Sequence, residues 1–541
     1  VPEGSKRDKN MLNWVWENTL SYTTIIKDVH NLSAIAGWTA QKESVNTSLL
    51  AGNGYPNDLV HTMNAASAIT SWSATAYEWS LLSALARVQY SYKGKYLLSA
   101  AARMDGSSRF GKNNRWGMFP SASAGWYISE EDFMKDIKWL TSLKLRASYG
   151  ISGNFNIGNY EYYATLSEDN YVFGKADGTL ASGLRPATAG NPDLGWEKTA
   201  MFNLGLEIGL FNMLTLELDL YNSNTTDMLL NVPVAEFSGF STVPMNIGKV
   251  NNKGVEFAIS TTNTWGDFTW NNRFNISANR NEVKDLGGVD EMITTSESVT
   301  FITKVGEPIG NYYTLVTDGV FANQAEIDNS KNPDKSQRKY AYVSGAKPGD
   351  FRFKDMDGNM EIDENDRTIT GNYMPKFTYG FSTDFKYKWF DLSVALQGVQ
   401  GNKIANIFRR YIDNMEGGNN SQADALDRWQ SESNPGSGYV VRANRSATGM
   451  NGTTSTWHIE DGSYMRIKNI TFGYTLPKSL LTNVGISRVR VYFSTQNPFT
   501  FTKYSGYNPE VNMKGGSLTP GIDYGTYPLS KSFVFGLNVT F

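Results

Sequence analysis

The residues best placed to do chemistry lie in one acidic run, D-M-D-G-N-M-E-I-D-E-N-D, from Asp355 to Asp366. Asp355, Asp357, Asn359, Glu361 (through its carbonyl), Asp363 and Asp366 fall on positions 1, 3, 5, 7, 9 and 12 of a calcium-binding loop. Hard cations need several oxygens, and a tight turn at this spacing folds alternate side chains inward to supply them. Ile362, at the eighth position, would anchor the loop in apolar surroundings. Two residues depart from the pattern. Met360 stands where such loops place Gly, and Asp366 reaches less far than Glu would. The expectation is a structural calcium ion, in preference to magnesium, that pins a long extracellular loop. The competing reading is a hydrated acidic turn whose Asp and Asn side chains cap local backbone.

A second set of candidates is aromatic: Trp72, Tyr160, Tyr162, Tyr163, Tyr171, Phe173, Trp429 and Trp457. An aromatic face can stack on a sugar ring or pack against a peptide side chain. The same residues would equally serve to pack loops together. Arg103, Asp105 and Arg109 lie near a strand end, where they would fix loop geometry. Catalytic readings find little support. Glu130 and Glu131 match glycosidase carboxylates only in type, and G-x-S-x-G, P-loop and H-E-x-x-H motifs are absent. Three His and no Cys argue against a zinc site or a Cys/His nucleophile. A net charge of −3 leaves no basic footprint for nucleic acid.

The elements that must position these groups are strands. In the terminal S-F-V-F-G-L-N-V-T-F, Phe533, Phe535, Leu537, Val539 and Phe541 share one face. Ser532, Val534, Gly536, Asn538 and Thr540 share the other. Leu214, Leu216, Leu218 and Leu220 alternate in the same way with Thr215, Glu217, Asp219 and Tyr221. The pattern recurs about fifteen times, which makes lipid the solvent of the apolar side. Arg146, Glu217, Asp219, Arg488 and Arg490 then face a wet lumen, lining a transport path or anchoring a plug.

Strands are predicted near 11–27, 30–44, 80–92, 95–106, 116–128, 141–151, 196–211 and 213–229. Others follow near 249–263, 267–283, 375–388, 390–400, 464–477, 487–499 and 531–541. Tight turns at Lys93-Gly94, Phe211-Asn212, Trp265-Gly266-Asp267 and Lys388-Trp389-Phe390 alternate with long loops near 45–79, 152–195, 284–374, 401–463 and 500–530. Such alternation puts every long loop at one end, as in a transmembrane antiparallel β-barrel, an all-β fold. Mean hydropathy is below zero and no run would make a transmembrane helix. Aromatic residues at 13%, with 29 Tyr and 14 Trp, suit interfacial girdles. They would also suit a soluble carbohydrate-binding β protein. Without Cys, sheet hydrogen bonding and burial must stabilise all 541 residues. Fifteen is an odd number, whereas bacterial single-chain barrels are even. With Val1-Pro2-Glu3-Gly4 lacking the look of a natural start, the expectation is that a preceding segment supplies the first strands.

Several stretches resemble the SusC/RagA family of TonB-linked outer-membrane transporters of Bacteroidota. They are R-M-D-G-S-S-R-F-G (103–111), F-P-S-A-S-A-G-W (119–126), L-K-L-R-A-S-Y-G-I-S-G-N (143–154), N-P-D-L-G-W-E-K (191–198) and N-N-K-G-V-E (251–256). P-G-D-F-R-F-K-D-M-D-G-N (348–359), Y-M-R-I-K-N-I-T-F-G-Y-T-L-P (464–477) and Y-S-G-Y-N-P-E (504–510) continue the likeness in order along the chain. The resemblance implies a barrel of roughly 22 strands around an N-terminal plug, of which residues 1–541 would be the C-terminal part. It also implies a TonB box, coupling to TonB–ExbB–ExbD, and a SusD-like surface lipoprotein over the extracellular loops. The cargo would be oligosaccharide or oligopeptide. Phe541 resembles the aromatic C-terminal signal read by the barrel-assembly machinery. A passive porin or structural barrel, and a soluble all-β adhesion protein, are the rival readings.

Overall fold

The computed structural model describes residues 2–541 apart from 175–177, 241, 414, 416, 417, 446–448, 482–484 and 512–514. Its main feature is a 15-stranded sheet whose strands follow one another in chain order. They are β1 (Glu3–Ile26), β2 (His30–Asn53), β3 (Ala68–Tyr92), β4 (Tyr96–Ser107), β5 (Trp116–Tyr127), β6 (Leu140–Asn154), β7 (Glu197–Leu210) and β8 (Leu214–Thr226). After these come β9 (Lys249–Trp265), β10 (Phe268–Asp285), β11 (Phe377–Tyr387), β12 (Phe390–Gln400), β13 (Tyr464–Thr475), β14 (Arg488–Thr502) and β15 (Ser532–Thr540). Among the described residues no helix is long and apolar enough to cross a membrane.

One predicted loop is largely strand. Residues 45–53 and 68–79, expected within the loop 45–79, extend the β2–β3 hairpin, in register from His30↔Tyr92 to Ala51↔Ser71. These segments are rich in Ser, Thr and Ala, which suit either face, so the apolar alternation that marks a lipid-facing strand is faint there. β1 likewise begins at Glu3 rather than near residue 11.

The chain divides into two compact units, and each is described by itself. Unit 1 comprises 1–136, 143–205 and 221–250. Across its strands, Val88, Ala100, Ala122 and Tyr149 form one row, while the neighbouring row on the opposite face is Gln89, Ser99, Ser123 and Ser148. The apolar face is the exposed one, with Leu82, Val88, Leu98, Met104 and Met118 open to the surroundings. Near the short turns it ends in an aromatic ladder: His30–Tyr92, Tyr92–Tyr96 and Tyr96–Trp126, with ring centroids 4.9, 6.2 and 6.4 Å apart. Residues of this kind concentrate where a bilayer meets water.

Unit 2 comprises 137–142, 206–220 and 251–541. Here β14 and β15 pair Val489↔Val539, Val491↔Leu537 and Phe493↔Phe535 on the outward face. Phe535 is 81% exposed and Phe541 87%. The Ser487 hydroxyl donates to the carbonyl of Thr540 (2.9 Å), tying down the C-terminal strand. The long loops of this unit are not featureless. They carry short strands such as Val299–Lys304, Asn311–Thr314 and Phe351–Phe353, and a helix at Gln324–Ser330 whose cap, Asn323, accepts from Glu326 N–H.

Candidate functional site

In unit 2, loop residues between β10 and β11, between β12 and β13, and after β14 fold together into a layer with its own apolar cores. Phe321, Ile327, Val343, Phe351, Phe353 and Val441 form one core, and Val299, Phe301, Tyr312, Ile407 and Ile522 form another. Such cores hold long loops in a defined shape, which a binding surface requires. The G-D-F-R-F-K-D segment crosses the first core. Its Asp350 is fully buried and accepts from Arg442 Nε (2.8 Å) and Asn451 Nδ2 (2.9 Å).

The acidic loop hangs from this core by Ile362, which is buried in it as expected. Asp355, Asp357 and Asp366 bring one carboxylate oxygen each within 4.8 Å of one another. Met360 and Gly358 both adopt positive φ (62° and 78°), so Met360 takes up the left-handed turn usually given to Gly. Asp355 accepts from Gly358 N–H and Met360 N–H, both at 2.7 Å. Burial pushes the Asp355 carboxyl up, but those two backbone donors together with hydrogen bonding to Asp357 and Asp366 outweigh it and hold it below its ordinary value. Asp366 accepts from Met356 N–H (2.7 Å) and Asp363 N–H (2.8 Å). Two of the other expected ligands are engaged with local backbone: Asn359 accepts from Glu361 N–H (2.6 Å), and Asp363 caps the short helix Glu364–Asp366. The Glu361 side chain, which the pattern does not use, meets Lys335 at 3.0 Å. The loop therefore combines backbone capping with three converging carboxylate oxygens, those of Asp355, Asp357 and Asp366.

A second cluster joins two motifs far apart in the sequence. Arg466, from Y-M-R at the start of β13, is almost completely buried. Its guanidinium donates to Glu510, to Asn508 Oδ1 (2.8 Å) and to Thr500 Oγ1 (2.9 Å), while Tyr464 OH donates to Glu510 (2.7 Å). Sequence reading noted both motifs without seeing that they meet. Nearby, Arg409 Nε donates to Asp413 (2.5 Å), and the guanidinium lies 4.2 Å from the Trp457 ring centroid. Burial, with Arg409 and Arg410, lowers the His458 pKa to about 3, so this imidazole is neutral and accepts from Ser455 N–H (3.3 Å).

The aromatic candidates separate by environment. Trp429 and Trp457 pack against the first core, and Trp429 Nε1 donates to Ala322 O (3.1 Å), so both are loop-packing residues. Trp72 belongs to β3 and not to a loop, on the same face as Leu82 and Val88, directed away from the polar side. Tyr160 OH accepts from Glu78 N–H (3.0 Å). The Tyr162 and Tyr163 rings lie tilted at 4.1 Å, and Tyr171 and Phe173 meet edge-on at 5.0 Å on an exposed hairpin with Thr179–Ala181. Tyr160, Tyr163, Tyr171 and Phe173 are exposed, and Tyr162 is half-buried.

On the polar face of unit 1, Arg146 and Lys144 line a cavity of about 510 Å³ with Gln89, Ser123 and Asn203. Gly205 lies directly beneath Arg146, where an added Cβ would come within 2.6 Å of Nε. Arg103 pairs with Asp105 (2.7 Å) and donates to Ser83 Oγ (3.0 Å). Arg109 sits over Trp79 and Phe155 (4.9 and 5.4 Å) and donates from Nε to Asn159 Oδ1 (2.9 Å), joining a strand residue to the loop after β6. In unit 2, Arg490 reaches across the glycine of β13, Gly473, to grip Asp391 on β12 with two hydrogen bonds (3.0 and 2.5 Å). Any side chain at Gly473 would run into both groups. Glu217 and Arg488 are exposed, whereas Asp219 is half-buried.

A sheet with an exposed apolar face, an aromatic border and all long loops at one end is the architecture of an outer-membrane β-barrel. Residues 4–497 match the family described as TonB dependent receptor-like, beta-barrel. The chain belongs to this family and is an outer-membrane protein. It is 36% identical over 549 residues to TonB-dependent receptor P3 of Formosa agariphila, covering 98% of this chain and 53% of that protein. TonB-dependent receptor SusC of Bacteroides thetaiotaomicron is 33% identical over 484 residues, covering 87% of this chain and 44% of that protein. Among solved structures, that of the RagAB peptide transporter superposes with a TM-score of 0.83 at 27% identity, over 99% of this chain and 56% of the matched one. The chain spans about half the length of the curated relatives it matches.

Proposed function

We propose that this chain is the barrel portion of an active outer-membrane importer of oligosaccharides or oligopeptides. In this reading a plug contributed by the same transporter occupies the lumen and couples to TonB–ExbB–ExbD. A SusD-like surface lipoprotein sits over the long loops. The observation that carries the reading is the loop layer of unit 2, whose separate apolar cores hold a shaped surface at the long-loop end. Support also comes from the likeness to SusC and to the RagAB peptide transporter. The test is uptake of the ligand preferred by the lipoprotein that co-elutes from outer membranes in mild detergent. Uptake should stop when the proton gradient is collapsed. A barrel that elutes alone and conducts small solutes regardless of the gradient would instead be a passive porin.

We further propose that Asp355, Asp357 and Asp366 hold a structural calcium ion. Equilibrium dialysis should find one site with a dissociation constant of about 0.1–1 mM, the range of extracellular calcium modules. Removing calcium should speed hydrogen exchange at Gly358 and Met360, whose N–H groups bond to Asp355. Asp357→Ala should abolish both effects; calcium binding unchanged in that variant would reject the site.

A further inference from the structure

In unit 1, β3 outruns one of its two neighbours. It pairs with β2 from Tyr92 to Ala68, but with β4 only from Tyr92 to Leu81. Beyond Leu81 its second edge has no strand beside it among the described residues. Ser80 N–H donates to Ser108 Oγ (2.8 Å) and Ser80 O accepts from Ser108 N–H (3.0 Å), so the even-numbered residues turn their main-chain groups to this edge. Glu78 N–H donates to Tyr160 OH (3.0 Å), a hydroxyl standing where a neighbouring strand would offer a carbonyl. There the cover ends. Among the described residues, the N–H and C=O that Trp72, Ala74 and Ala76 turn to the edge have no partner.

This edge stands in water. Trp16, Ala40, Leu82, Gly106 and Trp116 form one row across the apolar face, and Trp38 meets Trp16 edge-on at 4.9 Å. Just past that row, Lys42 and Glu78 form an ion pair at 2.9 Å. Within lipid every main-chain group needs a partner, so an open edge is tolerated only beyond the row. Trp72 lies well past Leu82, by roughly 30 Å of strand. The edge is also unguarded. Ala68 to Ala76 is exposed throughout, and its sequence A-I-T-S-W-S-A-T-A holds neither a charge nor a Pro. Proteins ordinarily blunt such edges with Lys, Pro or a bulge. The bulge of this hairpin falls opposite Ala51 and Gly52, and the ladder from Ser71 onward is regular.

We propose that this edge binds oligopeptide cargo as an added strand, through main-chain hydrogen bonds to Trp72, Ala74 and Ala76. The inference rests on the importer reading above and narrows its cargo to peptide. Donors and acceptors that recur at every second residue match an extended peptide, whereas a glycan carries no such repeat of N–H and C=O. The side chains beside the edge are Ser71, Ser73 and Thr75 on one face, and Trp72, Ala74 and Ala76 on the other. Apart from Trp72 these are small and uncharged, so they leave room for side chains of any type on the incoming strand. A dedicated protein partner would instead be met by several large anchors in pockets. The edge therefore reads backbone and tolerates sequence, which mixed cargo requires.

The test follows hydrogen exchange over residues 70–77 of the full-length receptor in mild detergent. An acetylated, amidated octapeptide of alternating Thr and Ala should slow the amides of Trp72, Ala74 and Ala76 by about 10-fold or more at saturation. The same peptide N-methylated at every residue keeps its side chains but has no donors, and it should leave exchange unchanged, as should maltooctaose. Ala74→Pro removes one edge N–H without touching the ladder to β2, a position where strands accept Pro. That variant should assemble like the wild type and lose the protection, while Ala74→Thr, which keeps the N–H, should retain it. No protection by the octapeptide, equal protection by its N-methylated form or by maltooctaose, or full protection in Ala74→Pro would each overturn the inference. So would a segment already protected without peptide, by a second copy of the chain or by a co-eluting lipoprotein. Gradient-driven uptake of a glycan without peptide protection would overturn this inference and leave the importer standing. Peptide protection without gradient-driven uptake would do the reverse.

Discussion

Arg466→Met should loosen the loop layer by about 3 kcal/mol, the lower end of the cost of stranding one partner of a buried ion pair. Arg466 is almost wholly buried, while the Glu510 side chain keeps 31% of its exposure, so water relieves part of the stranded charge. Hydrogen exchange over the segment after β14 should rise, with the strands of the sheet unaffected. The double variant Arg466→Met/Glu510→Met should recover part of the loss, because it removes the stranded carboxylate along with its partner. A double variant no more stable than the single would show that the two residues act independently.

The same pair gives the loop layer a pH dependence of known sign. Burial pushes the Glu510 carboxyl up, but the hydrogen bond from Tyr464 and the charge of Arg466 outweigh it and hold it below its ordinary 4.5. A carboxyl lowered on folding contributes its stability in full above its unfolded value and loses it as pH falls through the folded one. The segment should therefore be held at neutral pH and released only below about pH 4.5, and Glu510→Gln should remove that acid-triggered release.

Strand positions and faces were legible because lipid and lumen impose opposite polarity on successive residues, as in Leu214–Leu220 and Phe533–Phe541. Where Ser, Thr and Ala occupy both faces the signal fades, as in the hairpin extension at 45–53 and 68–79. This also explains Trp72, which took on a loop role only because its strand went unseen. The loop layer was illegible for another reason. Its contacts join residues distant in sequence, such as Arg466 with Glu510, Asp350 with Arg442, and Tyr312 OH with Gly521 O (2.9 Å). No local periodicity records such pairings. The acidic loop was visible because its spacing is local, and so was the polar character of Arg490, though not its partner Asp391 two strands away.

Leu218→Arg should block or sharply reduce barrel assembly, whereas Glu217→Arg should leave it nearly intact. Successive residues of β8 point to opposite faces, and Leu218 and Leu220 are the exposed apolar ones, at 36% and 46%. On the lipid side an arginine costs about 2–4 kcal/mol near the bilayer midplane and little near the interfaces. On the polar side the same guanidinium meets water. The two substitutions introduce the same side chain at adjacent positions, so helix or strand propensity and chain length cancel between them. Heat-modifiable mobility of the outer-membrane fraction reads out assembly directly. The gap should widen with Leu216→Arg if that residue lies deeper in the bilayer, and narrow for a substitution beside the Phe211-Asn212 turn. Assembly lost with Glu217→Arg and kept with Leu218→Arg would mean that the faces are inverted. Every assignment of lumen and lipid along β8 would then have to be exchanged.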